Sequence, residues 1–196
     1  MKKKSFNLIE QYKLSWKYLR DSKNFIYFVI GLFVFFVLFG FFIPAPTEIQ
    51  EKILQFIQEL LEETEGLSWI GLMGYIILNN VKSTFFGIFF GVLFGIFPLI
   101  STVVNGYLLG FVAMISVENA GFISLWKLFP HGIFELPAVF ISLGIGLKLG
   151  VSVLKKKENK NMNSYLINSL KVFLLIVIPL LLIAGIIEGA LIFWLN

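Results

Sequence analysis

Between Phe25 and Ile43 nineteen consecutive residues carry no charge. About 20 apolar residues of helix cross the hydrocarbon core of a bilayer, so a run of this length leaves few other structures open to the chain. No water is available in that core to satisfy backbone N–H and C=O groups, which makes the segment helical. Only Gly31 and Gly40 interrupt its apolar side chains. Pro44 and Pro46 then stop it, because proline lacks an amide donor and disfavours helix at the residue before it.

The pattern recurs along the chain. Trp69–Phe97 is 29 residues long and apolar except for Asn79, Asn80 and Lys82 near its middle and the small polar residues that follow them. Either one long tilted helix spans here, or a short segment dips in as far as Leu78 and a second helix starts near Asn80. The cost of Asn-Asn-x-Lys-Ser in lipid favours the broken or re-entrant form. Pro98–Ser101 reads as a break, Thr102–Val117 as the third span, and Glu118-Asn119-Ala120-Gly121 as a turn. Leu125–Leu147 reads as the fourth span and Val172–Leu195 as the fifth. The expectation is an all-α, polytopic membrane helix bundle of about five transmembrane helices. It becomes six if 69–97 is broken, and all of residues 1–196 form one membrane domain. Composition agrees: 58% of residues are hydrophobic and 14% charged, against roughly 25% charged in soluble domains.

Three segments lie outside the spans. In residues 5–20, Phe6, Ile9, Tyr12, Trp16 and Leu19 recur at helical spacing among Lys and Arg, the pattern of an interfacial helix. Thr47–Ser68 holds six Glu and one Lys, with Ile49, Ile53, Phe56, Ile57, Leu60 and Leu61 on one helical face. Thr47 is its expected N-cap, Gly66 its expected stop, and the outer face of the bundle its expected resting place. Residues 148–171 read as a basic, Asn-rich loop.

Lysine and arginine set the orientation. Residues 1–24 hold seven, 148–171 hold six and 44–68 hold one. The positive-inside rule places the N-terminus and 148–171 in the cytoplasm and the acidic segment outside, in a plasma membrane crossed several times. Five crossings satisfy both basic segments. The basic residues flank apolar runs, so they read as topology signals and no nucleic-acid partner is expected. A cleavable signal peptide is not expected either: Lys2-Lys3-Lys4 resembles the start of one, but the apolar run begins only at Phe25.

Chemistry is limited by what the chain contains. It has no cysteine and one histidine, which rules out disulfides and thiolate chemistry. A zinc site needs about three protein ligands, and these residues supply no obvious set, so neither a metal nor a cofactor is expected. The intramembrane polar residues are Asn79, Asn80, Asn105, His131, Glu135 and Glu188. His131 and Glu135 share a helical face. The expectation is one buried polar cluster that mainly sets helix packing, since an isolated carboxylate in hydrocarbon is costly. Gly87, Gly91 and Gly95, Gly106 and Gly110, and Gly132 are positions where another helix could approach closely.

Taken in order, Asn79-Asn80, the glycines ending at Gly95, Asn105-Gly106-x-x-x-Gly110, Pro130-His131-Gly132-x-x-Glu135-x-Pro137-Ala138, and Ala184 with Glu188 resemble the stage II sporulation protein M family. The resemblance is to its broad branch in archaea and non-sporulating bacteria, and it runs from Trp16 to Glu188. It implies an integral membrane scaffold or accessory subunit that is not an enzyme. In spore formers the family's namesake holds cell-wall-degrading enzymes at the engulfing septal membrane. The implied partners are the lipid bilayer and other membrane or extracytoplasmic proteins, or further copies of the chain. A small transporter or channel built on the Asn/His/Glu cluster is the alternative, and an intramembrane enzyme using His131 and Glu135 ranks below both.

The orientation has a direct test, made simple by the lack of native cysteine. In intact cells an impermeant maleimide should label Gln58→Cys and leave Asn159→Cys unlabelled; the reverse pattern means an inverted chain.

Overall fold

The first apolar run forms a helix, as its backbone must in lipid. In the computed structural model α2 covers Lys23–Phe42. It follows α1, Leu8–Arg20, whose N-cap Asn7 accepts from the amides of Ile9 and Glu10. The structure describes residues 7–154 and 162–195, apart from the side chains of 127–132, 134, 194 and 195. After α2 come α3 (Thr47–Thr64), α4 (Trp69–Phe89), α5 (Ile96–Ala120), α6 (Phe129–Leu154), α7 (Met162–Val172) and α8 (Ile178–Leu195). A π-helical turn over Phe173–Val177 joins α7 to α8 into one rod. No strand occurs among the described residues, and five helices are long and apolar enough to cross a membrane.

Several expected boundaries move. α4 runs unbroken through Asn79 and Asn80, so the re-entrant reading is wrong. The two side chains lie about 100° apart on a helix. One can therefore face protein and be satisfied, and the backbone need not break. The turn between α4 and α5 falls at Leu93–Gly95, where Phe94 and Gly95 have φ of 54° and 74°, and not at Pro98–Ser101. Pro98 sits instead in the first turn of α5, where its missing N–H costs no intrahelical bond. Most of the expected loop 148–171 is helical: α6 continues to Leu154 and α7 starts at Met162. Residues 155–161 lie outside the described ones. Pro46, not Thr47, occupies the N-cap position of α3.

α6 is the centre. Residues 142–147 are buried on every side, the mark of a helix enclosed by others. α2 and α5 pair with each other and flank it on one side; α4 and α8 flank it on another. In lipid there is little hydrophobic drive between helices, so contact depends on close fit and small residues. Glycine provides it. A methyl group on Gly146 would run into the carbonyl of Gly87, one on Gly91 into the backbone of Gly146, and one on Gly150 into the amide of Gly95. Gly106 faces the backbone at Phe33, and Gly110 the carbonyl of Val37. On the far side of α4, Gly185 meets Ile77 and Gly189 meets Met73.

These contacts also fix direction. Residue numbers rise together across α2 and α5, and across α4 and α6, so each pair is parallel; α4 and α8 run antiparallel. Five crossings in simple alternation require that arrangement. It brings α1 and α7, with their basic residues, to one end of the bundle.

α3 stands apart. None of its residues is buried. Ile53, Ile57 and Leu60 are half-covered, whereas Ile49, Phe56 and Leu61 are exposed. Gln50 holds the carbonyl of Ala45, and Tyr75 donates to Glu63 at 2.6 Å. The helix is therefore tied at its ends and not laid fully on the bundle.

The glycine contacts predict a sharp contrast. Gly146→Ala should destabilise the purified protein by about 1–3 kcal/mol through overpacking. Gly31→Ala and Gly74→Ala, where nothing lies within 4 Å, should leave it unchanged or up to about 1 kcal/mol more stable. Thermal unfolding in one detergent compares the three.

Candidate site: a buried Asn–Glu pair within the membrane

Asn80 and Glu135 meet between α4 and α6. The Asn80 amide donates to Glu135 Oε2, and both residues are nearly closed off, at 9% and 6% exposure. The spacing of small and polar residues on α4 explains the placement. Asn80, Thr84, Gly87 and Gly91 recur on one stripe, and all four are buried. Thr84 turns its hydroxyl back to the Asn80 carbonyl at 2.6 Å, so it adds no unsatisfied group to the interface. Ala138, fully buried one turn after Glu135, keeps α6 close.

The other expected members divide. Glu188 is half-buried and shares a helical stripe with Leu181 and Ala184, which are 1% exposed and turned to the core. Asn105 is exposed and donates to Ser101, to its carbonyl at 2.7 Å and to its hydroxyl at 3.1 Å. It satisfies itself locally and does not join Asn80. Asn79 points outward. His131 and Gly132 fall in the first turn of α6, and their side chains lie outside the described residues. Among the described residues no group of three or more His, Asp or Glu could hold a metal ion.

A second polar cluster was not anticipated from the sequence. Near the basic end of the bundle, the Lys148 ammonium lies 4.0 Å from the centroid of the Tyr18 ring and donates to Ser22 Oγ at 2.9 Å. Ser22 in turn donates to the Tyr18 carbonyl at 2.7 Å. Ser169 donates to the Tyr165 carbonyl, and the Tyr18 and Ser169 hydroxyls share a hydrogen bond at 3.3 Å. Four helices are thereby clamped: α1, the start of α2, the end of α6, and α7. Burial raises the Tyr18 pKa above the ordinary tyrosine value, the Ser169 hydrogen bond lowers it, and Tyr165 raises it again. Because the folded pKa is raised, the neutral ring's contribution is complete below the unfolded value near 10 and fades only as pH climbs through the folded value. The part that Tyr18 plays in the clamp is therefore insensitive to pH in the physiological range. In the sequence, Lys148 looked like the start of a solvated loop; only the continuation of α6 reveals its neighbours.

The family model described as stage II sporulation protein M matches residues 29–191. The chain belongs to that family. Comparison with curated proteins and with solved structures gives no match. The match covers all five spans, from within α2 to within α8, and so includes Asn80, Glu135 and Glu188. This member of the family is thus a multi-pass membrane protein.

The pair carries a stability prediction. Asn80→Leu removes a donor from a carboxyl group enclosed in the bundle and should cost about 1–3 kcal/mol. Glu135→Gln keeps an acceptor at the same place and should cost under about 1 kcal/mol. Melting of the two purified variants distinguishes them, and a larger loss in Glu135→Gln than in Asn80→Leu would mean that the charge itself, not the hydrogen bond, holds the helices.

Proposed function

We propose that this protein is a membrane scaffold or accessory subunit that positions partner proteins, with α1 and α7 at the cytoplasmic side and α3 outside. The observation that carries this reading is α3. A regular amphipathic helix of 18 residues has no fully buried residue and leaves Ile49, Phe56 and Leu61 exposed. Such a face is kept by a chain that has something to set against it. The bundle beneath is rigidly built by backbone contacts, which suits a platform. The buried Asn80–Glu135 pair favours a second reading, a small transporter or channel, since ionisable groups inside a membrane often mark solute or proton paths.

The two readings part on defined variants. Affinity capture of the tagged, full-length protein in mild detergent should retain a defined partner. Phe56→Ser with Leu61→Ser should release it without shifting the melting temperature, and the same double variant should fail to complement a deletion strain. Glu135→Gln should still complement. A stable, monodisperse Glu135→Gln protein that fails to complement, together with a wild-type chain purified alone, removes the scaffold and leaves the transporter and the intramembrane enzyme.

A further inference from the structure

α4 is the least apolar of the five spans. Its inward stripe is satisfied, as described above. Its outward stripe is not apolar. Asn79, Lys82 and Ser83 sit three and four residues apart, all exposed, with Phe86 continuing the row. Among the described residues none of these polar side chains makes a hydrogen bond or ion pair. Lys82 lies thirteen residues after Trp69 and ten before Val92, the ends of the span. At about 1.5 Å per residue that is near mid-depth, about 15 Å from the closer end, beyond the reach of a lysine stem snorkelling to the headgroups.

Lipid tails cannot cover such a row, because an ammonium and an amide near the bilayer centre need partners. A second copy of this chain does not supply the missing charge at that depth. Its acids within the spans are Glu118, two residues from the end of α5 and so far from mid-depth, Glu135, closed in the Asn80 pair, and Glu188, on the core-facing stripe of α8. Charge complementarity therefore selects the occupant. We propose that the Asn79–Lys82–Ser83 row of α4 is the docking site for a transmembrane helix of a partner protein, one that carries a carboxylate opposite Lys82 and a small or polar residue opposite Asn79 and Ser83. This deepens the scaffold reading and rests on it, but the surface is separate from α3.

The test uses the full-length chain in its native membrane. A photoreactive side chain introduced at Ser83, with one at the lipid-facing Phe35 of α2 as control, is activated and the adducts are mapped by mass spectrometry. The expected result at Ser83 is a single protein adduct whose attached peptide is an apolar segment containing Asp or Glu. Lys82→Gln should cut its yield at least about tenfold, and Lys82→Arg should restore it. Both Lys82 and Ser83 are exposed, so neither change should alter folding, and unchanged melting of Lys82→Gln confirms that. Adducts to a second copy, to lipid alone, to a partner segment without an acid, or at a yield insensitive to Lys82→Gln each overturn the proposal. Retention of the α3-dependent partner by Lys82→Gln alongside any of these would show that the docking site, and not the scaffold reading, is what failed.

Discussion

The contact between α4 and α6 sets the rest of the bundle. Gly87 on α4, with Gly91 and Gly95 in the turn that follows it, and Gly146 and Gly150 on α6 bring backbone against backbone, with no room for a methyl group between them. In water the apolar effect could hold two helices of ordinary side chains together. In lipid it cannot, and association rests on dispersion and on close fit. Once these two helices are seated, Asn80 and Glu135 follow. Asn80 stands two turns before Gly87 on the same stripe, and Glu135 stands three turns before Gly146. The polar pair is therefore placed by glycines that make no polar contact. The same logic puts α6 in the middle: its small residues face several neighbours, with Gly144 against Ile26 of α2 as well as Gly146 against α4.

Much of this was legible in the chain. The apolar runs gave the number of spans, and α2 came within two residues of its expected ends. The small residues that seat α4 and its following turn on α6 are visible as the four-residue repeat Gly87, Gly91 and Gly95, because in a membrane that repeat has few uses besides helix contact. What could not be read were the ends of helices, and for a physical reason. Proline reads as a stop at Pro98, yet in a first turn it removes a donor that has no intrahelical acceptor. The basic segment 148–171 looked like loop because its charges belong in water. A helix can carry such charges past the end of the bilayer, and the rod Met162–Phe193, 32 residues long, is about 48 Å, well beyond a hydrocarbon core of about 30 Å.

The polar residues show the same division. A single sequence gives residue type and spacing along one helix, but not the phase of that helix against its neighbours. Asn79 and Asn80 are the same residue in adjacent positions, and one is bonded within the bundle while the other faces out. Asn105 shares the motif with Gly106, but Gly106 packs on α2 and Asn105 turns away to Ser101. The cluster around Lys148 was hidden for a different reason. Tyr18 and Ser22 stand four residues apart where α1 meets α2, but Lys148 and Ser169 lie on α6 and α7, and no spacing in the chain connects them to that pair.

That clamp bears on how the bundle is oriented. Two basic segments separated by more than a hundred residues can both obey the positive-inside rule only if the crossings between them are even in number. The packing reaches the same parity without reference to charge, since α2 with α5 and α4 with α6 are parallel pairs. Charge asymmetry acts while the chain is being inserted, and glycine contact acts once the helices lie side by side. If the two disagreed, the inserted helices could not find their seats without pulling a charged end through the membrane. Their agreement means that α1 and α7 reach one surface by either route, and there Tyr18 and Ser169 meet without any charged end having to cross the membrane.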